Sequence, residues 1–237
     1  MPPKASPTAL VLAAHGSHLD PGASEPAWRL ANAVRRAGRF AAVRAAFWKE
    51  EPSFARALDG LDAHAVRVLP LFLAPGYFTT EVLPRELAPA IAARSPAGPP
   101  VTVLPPIGTA PAMARIVGAV ARDSGHPPTA TLIVLGHGTD RHGGAAANLA
   151  SVVERVRALD TARRVEAAFI DQQPELVEVA RAIGGPVVVV PFFLAAGWHV
   201  GTTIPADLRN AGVDSVWLTT PVGELSDMVE AVLEAAG

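Results

Sequence analysis

Four blocks of this chain recur in the same order at a nearly constant interval, and that duplication restricts the fold more than any other feature. TALVLAAHGS, from Thr8, returns as ATLIVLGHGT, from Ala130, which sets His15 on His137 at an offset of 122 residues. VRAAFWKEEP, from Val43, returns as VEAAFIDQQP, from Val165, at the same offset. The third block, VRVLPLFLAPGYFTTEVLPREL over residues 66–87, returns as VVVVPFFLAAGWHVGTTIPADL over residues 187–208, with Pro70 on Pro191. PPIGTAPAM, from Pro105, and TPVGELSDM, from Thr220, complete the series and set Gly108 on Gly223. Two similar lobes are expected, residues 1–124 and residues 130–237, joined near the turn-forming stretch DSGHPP at 123–128.

Within each half, apolar runs alternate with segments of helical spacing. Residues 8–14, 43–48, 66–73 and 101–104 read as strands, and residues 23–37 and 79–93 as helices, the second despite Pro84 and Pro89. Pro52 suits the first turn of a further helix. In the second half Leu149, Val152, Val153 and Val156 fall at i, i+3, i+4, i+7 spacing. The run from Val187 has no polar alternation, as expected of a strand buried on both faces of a parallel sheet. A helix is expected to begin around Gly201, just past His199. The repeated β-α alternation predicts an α/β protein with a doubly wound parallel four-stranded sheet in each lobe.

Half of the residues are apolar and 18% are charged, which gives a sizeable core and argues against disorder. A formal net charge of −2 speaks against nucleic acid as a partner, because such domains carry a basic face. The chain contains no cysteine, so disulfides, thiolate metal sites and cysteine-held iron–sulfur clusters are excluded. The first residues, MPPKASP, lack the apolar segment of a secretory signal, and no apolar run reaches the roughly 20 residues of a membrane span. A soluble, cytoplasmic protein is the expectation.

Ligands of open α/β sheets bind beyond the carboxyl ends of the strands. In the second half the residues at those ends are His137, Asp171 and His199; the matching positions of the first half hold His15, Lys49 and Phe78. Two imidazoles and a carboxylate on one rim make a mixed N/O set suited to a divalent transition metal. Each residue also has a plainer reading. A single histidine after a strand can merely bond a neighbouring loop, Glu50 and Glu51 can favour a helix N-terminus, and Trp48, Tyr77, Phe78 and Trp198 can be packing aromatics. His18, His64, His126 and His142 are expected to be solvated. Arg141-His142-Gly143, followed by Asn148, imitates the R-H-G signature of histidine phosphatases, which leaves a phosphoryl-transfer hydrolase as a remote alternative. That chemistry wants its histidine at the strand end, where His137 stands instead.

LVLAAHGS, VRAAFWKEEPSF and VRVLPLFLAPGYFTTEVLP, with their repeats LIVLGHGT, VEAAFIDQQPEL and VVVVPFFLAAGWHVGTTIP, resemble the class II chelatases of tetrapyrrole biosynthesis. They look specifically like the two-lobed sirohydrochlorin cobaltochelatases and ferrochelatases of CbiX/SirB type. The resemblance implies two flavodoxin-like lobes and a metal chelatase, a lyase, that inserts Co²⁺ or Fe²⁺ as a substrate and uses no organic cofactor. It sets the metal ligands at His137, His199 and Asp171, where glutamate is more usual, with His15 as a further catalytic candidate. Trp198 and Tyr77 would stack on the tetrapyrrole; Arg141, together with Arg29 and Arg85, would meet its carboxylates. The first half departs from the family pattern at Phe78, where a second histidine is usual. A tetrapyrrole or metal carrier without turnover would use the same residues, and the sequence does not set the oligomeric state.

Overall fold

The computed structural model describes residues 6–19, 22–94, 98–138 and 143–237. Its strands and helices follow as β1 (Ser6–Ala14), α1 (Glu25–Arg36), β2 (Phe40–Phe47), β3 (Ala65–Pro70), α2 (Leu83–Ala92), β4 (Val101–Val103) and α3 (Ala112–Asp123). The second series is β5 (Thr131–Gly136), α4 (Gly144–Ala158), β6 (Val165–Phe169), α5 (Leu176–Ile183), β7 (Val187–Pro191), α6 (Ile204–Asn210), β8 (Val216–Leu218) and α7 (Met228–Ala236). Two four-stranded sheets result, ordered β2-β1-β3-β4 and β6-β5-β7-β8, with every pairing parallel. This is the doubly wound α/β architecture that the repeat predicted, with the flavodoxin-like lobes that the resemblance implied.

The strand order fixes where a ligand site can form. The chain leaves β1 for β2 on one side and then crosses to β3 on the other, so the reversal falls between β1 and β3, and likewise between β5 and β7. Loops that leave two such strands in opposite directions open a crevice at their carboxyl ends. The registers bring those ends level: Ala13 pairs with Pro70, and Leu135 with Pro191.

Strand alternation supplies both faces of each sheet with apolar side chains. In the first sheet Ala9, Val11 and Ala13 pack with Phe54, Leu83, Leu87 and Ala90, while Leu10 and Leu12 are buried on the opposite face, where α1 lies against β1 and β2. In the second, Ile133 and Leu135 pack with Leu176 and Ala180 of α5 and Ile204 and Leu208 of α6. Leu132 and Val134 are buried on the other face, which α3 and α4 cover.

The compact units do not follow the repeat. One comprises residues 1–110 with 229–237, the other residues 111–228. Each unit thus contains the last helix of the other repeat. Helix α3 packs on α4 and β7, and Gly118 approaches Thr161. The end of α7 belongs with the first sheet, where Arg67 of β3 donates to the carbonyls of Ala236 and Gly237.

Two local expectations are corrected. No α-helix follows Pro52: its carbonyl accepts the Phe47 N–H at 2.9 Å and Ser53 bridges to Phe47. The chain therefore turns back on the end of β2, leaving room for one 3-10 turn, Phe54–Arg56. Nor does the last site helix begin at Gly201. A π-helical turn, His199–Thr203, precedes α6 and makes His199 its first residue; Phe78–Val82 repeats the feature before α2.

Candidate active site

β5 ends at Gly136, and His137 and Gly138 complete the turn that leaves the sheet. Gly138 has φ +83°, a left-handed conformation, and a Cβ there would stand 2.6 Å from the Cβ of Gln172. Any side chain is therefore doubly disfavoured, which explains why a His-Gly pair ends this strand. The His137 carbonyl accepts N–H bonds from Ile170 at 3.2 Å and Asp171 at 2.9 Å. The end of β6 is thereby tied to the end of β5, and Asp171 is brought beside His137.

The His137 Nδ1 lies 3.2 Å from the Asp171 Oδ2. With Nδ1–H donating to the carboxylate, the tautomer is fixed and the Nε2 lone pair is left free, the arrangement that orients metal-binding imidazoles. Both side chains are more than half exposed, so the pair adds little to stability. The His199 ring stands edge-on to His137 with centroids 5.2 Å apart, and its buried Nδ1 has no hydrogen-bond partner among the described residues. A buried nitrogen of this kind is open to an ion or a water. Among the described residues no three His, Asp or Glu side chains converge to hold a metal ion together. The three expected ligands form a chain instead, from Asp171 to His137 to His199.

The corresponding place in the first unit has the same backbone. Trp48 and Lys49 donate to the His15 carbonyl at 3.2 and 3.0 Å, and Gly16 has φ +65°. Its side chains form an aromatic cluster. Phe78 stacks on Phe72 at 4.1 Å and lies 5.6 Å from the rings of His15 and Trp48. His15 is exposed, with Nδ1 2.7 Å from the Gly16 carbonyl and its ring edge-on to Trp48. The Lys49 ammonium sits 3.6 Å over the Trp48 ring, and no ion pair reaches His15 among the described residues.

Tyr77 and Trp198 occupy equivalent positions before the two π turns and are 52% and 74% exposed, so both offer an open aromatic face. Trp48 and Phe78, by contrast, are packing residues of the first core. Arg29 is exposed. Arg85 bonds Glu86 at 2.8 Å, and its guanidinium is held above its ordinary pKa by Glu86 and Tyr77. Arg141 and His142 lie outside the described residues. His18 and His64 are exposed as expected, but His126 is not fully solvated: its Nδ1 lies 2.8 Å from the Pro127 carbonyl and its Nε2 is buried. Sequence reasoning passed over Glu224, whose Oε1 accepts the Ala196 N–H at 2.6 Å and so touches the loop that carries His199. Its only signal in the sequence is a carboxylate where the first repeat has Thr109. No helix among the described residues is long and apolar enough to cross a membrane.

The family model CbiX matches residues 9–124 and again residues 131–236. A probable sirohydrochlorin cobaltochelatase of Halobacterium salinarum is 33% identical over 96% of this chain and 90% of its own length. Among solved structures, a multi-domain protein of Deinococcus radiodurans with structural similarity to chelatases superposes with a TM-score of 0.82 at 28% identity. The match takes in 97% of this chain and 55% of that one, so the present chain spans about half of that protein. A CbiX structure, described as the terminal enzyme for biosynthesis of siroheme in denitrifying bacteria, gives a TM-score of 0.73 at 26% identity over 96% of this chain and 97% of that chain.

Proposed function

We propose that this chain, which belongs to the CbiX family, is a metal chelatase that inserts Co²⁺ or Fe²⁺ into sirohydrochlorin and works from its second unit. The observation that carries this reading is the imidazole pair at the β5/β7 reversal, His137 and His199 at 5.2 Å, with Asp171 on the Nδ1 of the first. The relatives supply the substrate class: a cobaltochelatase name on one side and siroheme synthesis on the other.

The chemistry follows from the residue types. Metal insertion forms bonds from the ion to the ring nitrogens and releases two pyrrole protons, so the site must present a partly dehydrated ion and accept protons. Two neutral imidazoles hold a borderline-soft divalent ion while leaving coordination positions open. Asp171, expected as a third ligand, is given the orienting role its contact with Nδ1 supports, and it is also a carboxylate able to take up a proton. Trp198 and Tyr77 provide faces on which a flat macrocycle stacks. Arg141 remains the proposed partner of a substrate carboxylate. His15 has an exposed imidazole that can accept a proton, and the Glu50 carboxylate lies against the neighbouring Gly16, but Phe78 stands where the second imidazole would be, and we give His15 no part in holding the metal.

The test is anaerobic absorbance of the protein with sirohydrochlorin and Co²⁺ or Fe²⁺, alongside His199→Ala. Metallation well above the protein-free rate, lost in the variant, is expected. Equal rates in the two proteins would remove the second-unit site, and no acceleration with either metal would leave a carrier. The faster of the two ions identifies the metal.

A further inference from the structure

The loop between β7 and the π turn, residues 192–198, delivers both Trp198 and His199, and the two units secure this loop by different means. In the first unit the loop closes on itself. The Gly76 N–H donates to the Thr79 Oγ1 at 3.0 Å, and the Thr79 and Thr80 hydroxyls donate to the Gly76 carbonyl at 3.0 and 3.1 Å. In the second unit those threonines are Val200 and Gly201, which have no hydroxyl. The bracing comes from outside, from the 3-10 turn Val222–Glu224. Gly223 N–H donates to the Phe193 carbonyl at 2.9 Å, and the Glu224 carboxylate accepts the Ala196 N–H at 2.6 Å. The approach is so close that a Cβ on Gly223 would stand 2.3 Å from the Leu194 Cα. The first unit has the matching backbone bond, Gly108 to Phe72 at 3.0 Å, but Thr109 turns its hydroxyl to Pro106.

We propose that Glu224 is a positioning residue for the imidazole pair: by gripping the Ala196 amide it replaces the lost threonine lock and sets His199 against His137. The inference rests on the reading of that pair as the metal-capturing site. A charge-assisted bond to a backbone N–H is short and directional. A two-imidazole site tolerates displacements of only about 0.5 Å before its geometry is lost. Phe78, which packs against fixed aromatic neighbours, needs no such external brace; His199, whose neighbour is an exposed histidine, does.

The test compares wild type, Glu224→Gln, Glu224→Ala, Glu224→Ala with Val200→Thr, and His199→Ala, all as full chains. Two readouts are taken: amide hydrogen exchange over residues 192–200, and affinity for Co²⁺ alone. Glu224 is exposed, so its truncation leaves the core intact. Glu224→Ala is expected to speed exchange in the loop and to weaken Co²⁺ about 3- to 10-fold, below the range for an immediate outer partner of a ligand. Glu224→Gln, which keeps an acceptor oxygen, stays near wild type, and Val200→Thr restores both readouts by rebuilding the internal lock. Unchanged exchange in Glu224→Ala would overturn the brace. Faster exchange with unaltered Co²⁺ affinity, in a protein where His199→Ala does weaken Co²⁺, would overturn the positioning role and leave the functional reading standing. If His199→Ala leaves Co²⁺ affinity unchanged, the functional reading fails and the positioning role falls with it, while the exchange data still report on the brace.

Discussion

At the ends of their central strands the two units share a backbone and differ in chemistry. In each, the carbonyl of a histidine gathers two consecutive N–H groups from the neighbouring strand, Trp48 and Lys49 in one, Ile170 and Asp171 in the other. In each, a glycine at positive φ follows the histidine, and a π turn begins one residue past an exposed aromatic. The first unit fills this frame with Phe78 stacked on Phe72 and a lysine over Trp48. The second fills it with an imidazole beside an imidazole and a carboxylate on one of them. The main-chain bonds build the frame whatever the side chains are, so two exchanges, lysine for aspartate and phenylalanine for histidine, separate an aromatic plug from the metal site we propose. Function here lies in the grafted side chains and not in the fold.

The comparison breaks most sharply at the histidines that both units keep. His137→Ala removes a ligand and is expected to lower Co²⁺ affinity and metallation by on the order of 100-fold or more, beyond the loss of an outer partner. His15→Ala, at the equivalent place, should change both by about twofold at most, as an exposed substitution outside the metal site does. A large effect of His15→Ala, with His137→Ala silent, would reverse the assignment of the two units.

Next in size is Asp171→Asn. It keeps the shape but weakens the acceptor for His137 Nδ1–H, and loss of such a partner costs about 10- to 100-fold in metal affinity. Lys49→Ala, at the same position of the first unit, should leave Co²⁺ binding as it is. Titration of Co²⁺ followed by its visible absorption separates the two, and equal affinities in Asp171→Asn and wild type would remove Asp171 from the site.

A smaller effect is expected where the first unit uses its aromatic in place of a ligand. Phe78 touches Phe72, Phe54, Trp48 and His15 but is only half-buried, so Phe78→Ala should lower stability by about 1–3 kcal/mol, less than a fully buried phenylalanine. His199→Ala should stay within about 0.5 kcal/mol, since its buried Nδ1 makes no bond among the described residues. Denaturant midpoints measured without metal test the pair. A larger destabilisation from His199→Ala would mean that this imidazole holds the second core together.

The strand ends were legible because apolar runs stop where the sheet stops, and the repeat says which stops correspond. His137, Asp171 and His199 could therefore be assembled from sequence alone, and the structure sets Asp171 and His199 each beside His137. The last helices were not legible in the same way. Met113, Ile116 and Val117 of α3 form an apolar face much like Val232 and Leu233 of α7, and a repeated pattern carries no record of which sheet each face covers. The π turns escaped for a related reason: an extra residue in one helical turn leaves the apolar spacing of Val82 and Leu83 intact. Glu224 was invisible because its role depends on a main-chain amide, Ala196, that any residue would supply.

The most demanding prediction converts one unit toward the other. Phe78→His with Lys49→Asp reproduces the second unit's side chains on the first unit's frame, where His15 already stands 5.6 Å from the ring of residue 78. The double variant should bind a second equivalent of Co²⁺, read as a doubled endpoint in the titration. The single variants should not, because a lone lysine repels the ion and a lone phenylalanine supplies no ligand. The added site should be the weaker of the two. Its imidazole would stand against Phe72 and Phe54, an apolar wall that offers no outer partner, and ligands without a supporting shell bind loosely. A double variant that still takes up a single equivalent would show that the shared backbone and these two side chains are not sufficient to make a site.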